Sequence, residues 1–360
     1  MNPGNAVSST ASSRPQPIGQ NHVTWGLAVA LWFAITFAAT CPATAADKKY
    51  VFAVVSSDTS NPFFEQVRDG CKKAEKAMNG EAECLYLGPR EYDASGKEEA
   101  RIVNDLVARK VDGIAISPAN PQALVPALIA AQQAGIPVLT WDSDLPDRDK
   151  PLRVAYIGTH NYEIGMRLGR QVKAMKPKGG TICIQSGGAD AENHNERILG
   201  LRDTLAGSAT NYVATQRLSG QNGWTEVDGC PLYTEDEPDV AIQQLQHILQ
   251  QYPRLDAFVG TGGFAEFLPQ AYRDAVAKYQ PAIESGALVL VFTDALPMQL
   301  DLLRQGLSSA QIGQRPYEMG YQAMVFLKDI KDGKEKPRDP TYIELDICTR
   351  QNVATCIGGG

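Results

Sequence analysis

Residues Tyr50–Val67 read YVFAVVSSDTSNPFFEQV and contain the pattern on which the fold depends. Tyr50–Val55 is an apolar, largely β-branched and aromatic run, which predicts a buried strand. Two serines end the run. Asn61 and Pro62 then predict the start of a helix, because Asn is a favoured N-cap and Pro fits the first helical turn. A strand leading through a polar loop into a helix is the repeating unit of a parallel α/β sheet.

The alternation of strand and helix continues along the chain and restarts near its middle. The first series has further strands at 84–87, 111–117, 136–141 and 154–157. The second has strands at 181–185, 212–218, 257–260, 287–292, 309–313 and 342–347, with the last helix at 316–330. Two such series predict an α/β protein of two lobes, each a doubly wound parallel sheet.

The bulk composition narrows the function classes. The chain has 360 residues, of which 43% are hydrophobic and 21% are charged, as in a soluble globular protein. Its formal net charge is -7, and no block of Lys and Arg occurs. A nucleic-acid partner is therefore not expected.

The first 46 residues predict a secretory signal peptide, residues 1–46. Trp25–Ala39 is apolar but shorter than the roughly 20 residues that a membrane-spanning helix needs. The small residues Ala43–Ala46 follow and contain an A-x-A cleavage pattern, so we expect cleavage after Ala45 or Ala46 and a mature protein in the periplasm. An uncleaved membrane anchor is the alternative.

Six cysteines follow this leader: Cys71, Cys84, Cys183, Cys230, Cys348 and Cys356. An exported protein can keep disulfides. A Cys71–Cys84 bond would join the first helix to the second strand, and a Cys348–Cys356 bond would close a small loop. The sequence leaves the connectivity open, and free buried thiols are the alternative. No His or Cys cluster has metal-ligand spacing, so no metal site is predicted.

Polar and aromatic side chains stand where the predicted strands end, which is where open α/β sheets bind ligands. They are Asn61, Phe63 and Phe64 after the first strand, Asp142 after the fourth, Asn193 and Arg197 after 181–185, Asp294 after 287–292, and Gln314 after 309–313. Carboxylate, amide and guanidinium groups bind neighbouring hydroxyls, and Phe rings cover the apolar face of a sugar. The set predicts a small polyhydroxylated ligand such as a sugar.

Each of these residues also has a purely structural interpretation. Asn61 is explained equally well as a helix cap, and the two aspartates as loop or cap residues. Phe63 and Phe64 are adjacent on a helix and point in different directions, so one of them is expected in the core. The alternative to a binding role for Arg197 is that it is a surface residue of a helix.

Catalytic motifs are largely absent. The sequence has no GxSxG, no GxxxxGK[ST] and no GxGxxG after a strand, so it predicts neither a nucleophile elbow nor a cofactor. An exported enzyme that uses Asp142 and Asp294 as an acid–base pair is the remaining catalytic alternative.

Several short stretches, in this order and spacing, resemble the type I periplasmic binding proteins of the ribose- and galactose-binding kind. The resemblance extends from about Lys48 to Asn352. The stretches are Ser60–Phe64, Val111–Ile114 with Ser117-Pro118, Gly135–Val138, Asn193–Gly200, Phe292–Asp294, and Gln314–Tyr317 with Gly320.

This resemblance implies a monomeric binding protein without a cofactor. Such a protein delivers its ligand to a membrane ABC permease or presents it to a sensor. The implied ligand contacts are Asn61, Phe63, Phe64, Asp142, Arg197, Asp294 and Gln314. Three hinge crossings are implied, near 158–161, 314–315 and 342. The N-terminal lobe would be 47–159 plus 315–342, and the C-terminal lobe 160–314 plus 343–360.

The chain departs from the family pattern in two places. Gly262-Gly263 stands where the family often has Asn-Asp, so that side-chain contact is expected either to be lost or to be supplied by Phe264 or the backbone. A longer insert, Gly220–Asp239, precedes the helix at 240–251. Within it we expect Trp224 or Tyr233 to provide a stacking ring and Asp236 to provide an acid.

Overall fold

A computed structural model describes residues 49–209 and 216–356, so the leader expected at 1–46 lies outside the described residues. The strands are β1 (Tyr50–Val55), β2 (Ala82–Leu87), β3 (Gly113–Ile116), β4 (Val138–Trp141), β5 (Ala155–Gly158), β6 (Gly180–Ser186), β7 (Trp224–Glu226), β8 (Leu232–Tyr233), β9 (Ala257–Gly260), β10 (Val289–Thr293), β11 (Ala310–Gly313), β12 (Thr341–Tyr342) and β13 (Asp346–Thr349). The helices are α1 (Pro62–Ala77), α2 (Lys97–Ala108), α3 (Pro121–Gln133), α4 (Asn161–Met175), α5 (Glu192–Ala206), α6 (Pro238–Gln251), α7 (Pro269–Val276), α8 (Gln280–Glu284), α9 (Pro297–Arg304) and α10 (Pro316–Lys331). Within the described residues, no helix is both long enough and apolar enough to cross a bilayer.

The first lobe is built on a six-stranded parallel sheet with the order β12-β5-β4-β3-β1-β2. Successive residues of β1 face opposite sides, since side chains alternate along a strand. Phe52 and Val54 pack towards α1 and α10, whereas Ala53 and Val55 pack towards α2 and α3. Helices therefore cover both faces, which explains why β1 is apolar at every position.

The second lobe is built on a sheet with the order β13-β11-β10-β9-β6-β7, and β8 also pairs with β6. Its strands are parallel except β13, which runs antiparallel to β11. Ile182 and Ile184 of β6 pack against α4 and α5, and Phe258 and Phe292 pack on the other face. The expectation of two parallel-sheet α/β lobes is confirmed.

Close packing of α4 on α5 positions a residue of the site. A side-chain carbon at Gly165 would collide with the carbonyl of Arg197, and one at Gly200 would collide with the carbonyl of Tyr162. Glycine at both positions lets the helix backbones touch. Arg197 is thereby held at a fixed depth beneath the end of β6.

The chain passes between the two sheets three times. It leaves the first sheet after β5, returns from β11 into α10, and crosses again between β12 and β13. The single strand predicted at 342–347 is therefore wrong. Thr341 and Tyr342 pair with β5, whereas Asp346–Thr349 pairs with β11, so the apolar pattern there belongs to two strands in different lobes.

Two further local predictions need correction. The predicted strand at 212–218 lies partly outside the described residues, and 216–218 has no strand assignment. The helix predicted after 257–260 is broken into a 3-10 turn at Phe264–Phe267 followed by α7 and α8. Leu268 has a non-helical conformation, and Pro269 starts α7, where its missing N–H costs no hydrogen bond.

All six cysteines of the described residues form disulfides, so the free-thiol alternative is wrong. Cys71–Cys84 and Cys348–Cys356 are the two pairs considered from the sequence. The third bond, Cys183–Cys230, ties β6 to the insert that precedes α6. This bond joins residues 47 positions apart and fixes the insert to β6, which lies beside the edge strand β7 of the second sheet.

Candidate functional site

The nine predicted site residues all line one cavity at the carboxyl ends of the strands of both lobes. It encloses about 440 Å³ of space free of protein atoms, counting its opening to solvent. The predicted residues around it are Asn61, Phe63, Phe64, Asp142, Asn193, Arg197, Asp236, Asp294 and Gln314.

The first lobe supplies an aromatic wall. Asn61 caps α1, since its side-chain oxygen accepts a hydrogen bond from the Phe63 N–H at 2.9 Å, and it also lines the cavity. Phe63 and Phe64 meet edge to face with ring centroids 5.2 Å apart. Phe64 also packs edge-on against Trp141 at 5.6 Å. The structural and cavity-lining interpretations of these residues are thus both correct.

Asp142 extends from the first lobe to the second. It follows β4 with φ 58°, a left-handed backbone that turns the chain sharply. Its carboxylate accepts hydrogen bonds from Ser117 Oγ at 3.4 Å and from Asn193 Nδ2 at 3.2 Å, and Arg197 lies 3.4 Å away. Burial raises the pKa of Asp142, and the Arg197 charge opposes that rise. The contacts with Asn193 and Arg197 join the two walls.

Arg197 is buried, with a side chain only 3% exposed, so its interpretation as a surface residue is wrong. Its Nε donates to Asn161 Oδ1 at 2.9 Å, and Nη1 donates to the Thr261 carbonyl at 3.0 Å. Its Nη2 donates to Gln314 Oε1 at 3.2 Å. The fixed fork of the guanidinium therefore connects the hinge region, the end of β9 and the end of β11.

Asp294 and Gln314 form the far side of the polar wall. Gln314 Nε2 donates to Asp294 Oδ1 at 2.9 Å, while its oxygen accepts from Thr159 Oγ1 at 2.6 Å. Asp294 also has a left-handed backbone, with φ 74°. Burial raises the pKa of Asp294 to about 6, although the Arg197 charge and the Gln314 hydrogen bond both lower it.

Asp236 and His194 form a second polar group in the cavity. His194 Nδ1 lies 2.8 Å from Thr261 Oγ1, and His194 Nε2 lies 4.0 Å from Asp236 Oδ1. Burial and the nearby Arg197 charge hold the pKa of His194 well below its usual value. Burial and the charges of Asp58 and Asp142 raise the pKa of Asp236 well above its usual value.

A sequence profile described as a periplasmic binding protein domain matches residues 52–335 of this chain. The chain belongs to the periplasmic binding protein family.

Individual relatives extend this result. The D-ribose/D-allose-binding protein of Pseudomonas aeruginosa is 26% identical over 46% of this chain, which spans about half (52%) of that relative's length. The ribose import binding protein RbsB of Salmonella typhimurium is 25% identical over 87% of this chain and 96% of its own. A solute-binding protein of an ABC transporter from Burkholderia graminis, solved in complex with D-arabinose, is 26% identical. It superimposes with a TM-score of 0.71 over 85% of this chain and 97% of its own.

The insert of this periplasmic binding protein differs in part from what its sequence suggested. Trp224 belongs to the core between the second sheet and α5, and Tyr233 packs at the edge of the same core in β8. Neither ring lines the cavity, so the expectation of a stacking ring from either residue is wrong. Trp224 alternates with the exposed Thr225 in the short strand β7, a pattern that predicts core packing better than ligand contact.

The sequence did not indicate three of the ring-bearing residues that line the cavity: Tyr92, His194 and Phe267. Phe264, which follows Gly262-Gly263 directly after β9, lines the cavity as expected from the sequence. His194 is adjacent to Asn193, so the rule of strand ends that indicated Asn193 could have indicated His194 as well. Tyr92 lies in a loop beyond β2, and nothing in the sequence pattern indicates that this loop folds over the cavity.

The described residues 49–209 and 216–356 contain no group of three or more His, Cys, Asp or Glu side chains placed to hold a metal ion. The cavity of this periplasmic binding protein instead combines three aspartates, one arginine, amides and four phenylalanines. Such a lining offers several hydrogen-bond acceptors, fewer donors and apolar faces on both sides.

Proposed function

We propose that this chain is a solute-binding protein that encloses a small polyhydroxylated ligand, a monosaccharide or polyol, between its lobes. The observation that carries the proposal is the composition of one cavity. Its aromatic wall from α1 faces the polar network of Asp142, Arg197, Asp294 and Gln314. Hydroxyls fit this network because each is both a donor and an acceptor, and ring C–H faces fit Phe63 and Phe64.

The proposed mechanism is closure about the three crossings. One lobe comprises 47–159 plus 315–342, and the other 160–314 plus 343–360. Asn61, Phe63, Phe64 and Asp142 belong to the first lobe, and the other predicted site residues belong to the second. A ligand that contacts both sets favours the closed arrangement through its differential affinity for that state.

The proposed route is that of the import proteins to which the chain is similar. The leader at 1–46 directs the protein to the periplasm and is removed. The closed, monomeric protein then delivers its ligand to a membrane ABC permease. The names of the Salmonella and Burkholderia relatives support this route.

We propose that the protein is not an enzyme. Asp142 is engaged by Ser117, Asn193 and Arg197, and Asp294 by Gln314. Because both carboxylates are already engaged in hydrogen bonds, a role in positioning ligand hydroxyls is favoured. A role as an acid–base pair that exchanges protons with a substrate is disfavoured. Chromatographic recovery of the bound sugar unchanged after long incubation is expected, and a converted sugar would contradict this part of the proposal.

A thermal-shift and calorimetry screen of the mature chain tests the function. The panel contains monosaccharides, polyols, nucleosides and amino acids, and the Arg197→Met variant serves as a binding-deficient control. A ligand that binds only the folded state raises the melting temperature as its concentration grows. For the wild type we expect a melting temperature that keeps rising with the concentration of a sugar or polyol and a saturable calorimetric titration with the same ligand, and for the variant a much weaker response in both. A response to nucleosides or amino acids alone would overturn the proposed ligand class.

A further inference from the structure

Asp236 is a buried carboxylate with an unused acceptor. The residue is 8% exposed, lines the cavity and has a left-handed backbone with φ 61°. Its Oδ1 accepts no hydrogen bond from any residue in the described part of the chain. A side-chain carbon at Gly187 would collide with Asp236 Oδ1 and His194 Nε2, so Gly187 leaves both atoms uncovered. A buried acceptor without a donor is costly unless a ligand supplies one.

The insert holds this carboxylate in a defined place. Thr234 donates through its N–H and its hydroxyl to the Ser186 carbonyl, both at 3.0 Å. The Asp236 N–H then donates to Thr234 Oγ1 at 3.2 Å. The disulfide Cys183–Cys230 and the pairing of β8 with β6 hold the same segment. Asp236 is therefore anchored to the end of β6.

His194 adds a second acceptor beside the first. The Thr261 hydroxyl donates to Ser186 Oγ at 3.1 Å, so it is free to accept from His194 Nδ1 at 2.8 Å. With the proton on Nδ1, the neutral ring presents a lone pair at Nε2. Nε2 and Asp236 Oδ1 are 4.0 Å apart, so one ligand group can reach both. We call this pair of atoms the acceptor corner.

We propose that the acceptor corner selects ligands that present a hydrogen-bond donor to it, a hydroxyl or an ammonium, and rejects analogues that carry a carboxylate or phosphate there. This inference rests on the proposed function, since it assumes a sugar-like ligand in the same cavity. Asp58 and Asp142 add negative charge near Asp236, and Arg197 already donates to Asn161, Thr261 and Gln314. At a pH at which these carboxyls are ionised, an anionic group therefore meets two acceptors and excess negative charge.

Matched ligand sets test the proposal. The probes are D-galactose, D-galacturonate and D-galactosamine; D-glucose, D-glucuronate and D-glucosamine; and D-ribose with D-ribose 5-phosphate. Calorimetry gives the dissociation constant of each. For every set that binds, we expect the anionic member to bind at least about 100-fold more weakly than its neutral parent, because like charges in an interface cost several kcal/mol. An amino sugar that binds more tightly than its parent identifies an ammonium at the corner.

Variants assign the selectivity to the corner. Asp236→Asn removes the charge and supplies a donor, so the penalty for the anionic member should fall at least about tenfold. His194→Gln is the second variant, to be used if Asp236→Asn does not fold. It replaces the Nε2 acceptor by an amide that can donate, so it should also reduce the penalty for the anionic member. Glu235→Gln is the matched control, because it removes the neighbouring charge outside the cavity lining and should leave the penalty unchanged.

The outcomes separate this inference from the proposed function. If a uronate or the sugar phosphate binds as tightly as its parent, or if Glu235→Gln narrows the penalty as much as Asp236→Asn, the acceptor corner is not selective and solute binding stands. If no member of any set binds the wild type, the proposed sugar class and this inference both fall.

Discussion

The two walls of the cavity are built in different ways. The aromatic wall of the first lobe comes from one continuous segment, the loop after β1 and the first turn of α1, which supplies Asn61, Phe63 and Phe64. The wall of the second lobe collects side chains from α5, the insert, the turn after β9 and the ends of β10 and β11. A local motif suffices for the first wall, whereas the second depends on contacts between distant parts of the chain.

The difference concerns electrostatics as well as construction. Phe63 and Phe64 need only a helix and a core to hold them in place. The second wall holds Arg197, Asp236 and Asp294 in a buried environment that shifts the pKa of both aspartates upward. Burying charge is costly unless each group is paired, so the second wall should be the more sensitive to mutation.

The largest effect on binding is expected for Arg197→Met. The variant removes one donor each from Asp142, Gln314 and the Thr261 carbonyl in a buried network, and it removes the positive charge beside Asp142. We expect at least about 100-fold weaker binding and a loss of about 3 kcal/mol in the free energy of unfolding. Calorimetry and urea denaturation measure the two.

Arg167→Met is the matched control for that experiment. Arg167 lies on α4, is about one-third exposed and pairs with Glu163, so its loss should cost little. If both variants bind alike, the buried network does not hold the ligand and the contrast between the walls disappears.

A smaller effect is expected for Asp294→Ala, which removes one carboxylate but keeps the guanidinium. A buried hydrogen bond between a hydroxyl and a carboxylate contributes roughly 1.5–3 kcal/mol, so affinity should fall by more than about tenfold. Titration of the variant with the ligand measures the loss. Asp274→Ala, an exposed position on α7, should bind as the wild type does. Unchanged affinity of the Asp294→Ala variant would remove Asp294 from the site.

The Cys183–Cys230 disulfide allows a test of whether distant contacts hold the second wall of the cavity in place. The Cys183→Ser, Cys230→Ser double variant releases the insert that carries Asp236, so we expect a several-fold loss of affinity together with lower stability. The Cys348→Ser, Cys356→Ser pair is the control. The two bonds span 47 and 8 residues, so the chain-entropy account gives about 4 and about 2.5 kcal/mol.

Calorimetry and denaturation of both double variants test this difference. Only the first variant should bind more weakly, since Cys348 and Cys356 lie outside the cavity lining. Equal affinity in the two would show that the hydrogen bonds of Thr234 hold Asp236 without the disulfide.

The smallest effect on binding is expected for Glu266→Gln, although its effect on stability depends on pH. Burial raises the pKa of Glu266 to about 8, against the hydrogen bonds from Gln299 and Gln311. The folded state therefore holds a proton that the unfolded state releases near its usual pKa. The contribution to stability is present at low pH and is lost as the pH rises from about 5 to about 8.

Melting curves across that pH range check the sign. The wild type should lose on the order of 3 kcal/mol from this group, and Glu266→Gln should flatten the dependence because an amide does not ionise. A change at the more exposed side chain of Glu83, Glu83→Gln, should leave the dependence of stability on pH unchanged. If the free energy of unfolding of the wild type instead rose with pH over this range, the raised pKa of Glu266 would be contradicted.

Much of the fold could be predicted because its signals are local. β1 and β9 have the bounds that their apolar runs indicate. The sequence also predicts a capping box of Ser95 with Glu98 at the start of α2, and this prediction is wrong: Gly96 is the N-cap residue and Asp93, not Ser95, accepts from the Glu98 N–H. Several side chains nearby can satisfy the same orphan N–H groups, and the sequence does not rank them.

The site residues also divide into those that local signals indicate and those that distant contacts place. Asp142, Asp294 and Gln314 stand at strand ends, so the topology of each sheet brings them to its carboxyl edge, Asp142 in the first lobe and the other two in the second. The position of Tyr92 depends on a loop whose path no periodicity indicates. The sequence assigned Asp236 to the site, whereas the assignment of Trp224 to the core required the insert to be placed, and a disulfide between distant residues holds that insert.

The sequence by itself determined two α/β lobes, the edge at which a ligand binds and the local motif of the aromatic wall, because periodicity, caps and strand ends act over a few residues. Only the tertiary structure decided the partner of each cysteine, the division of the last strand between two sheets and the pairing of Arg197 with both walls. Those features depend on contacts between residues far apart in sequence, and burial then determines which charged groups lie close enough to shift one another's pKa.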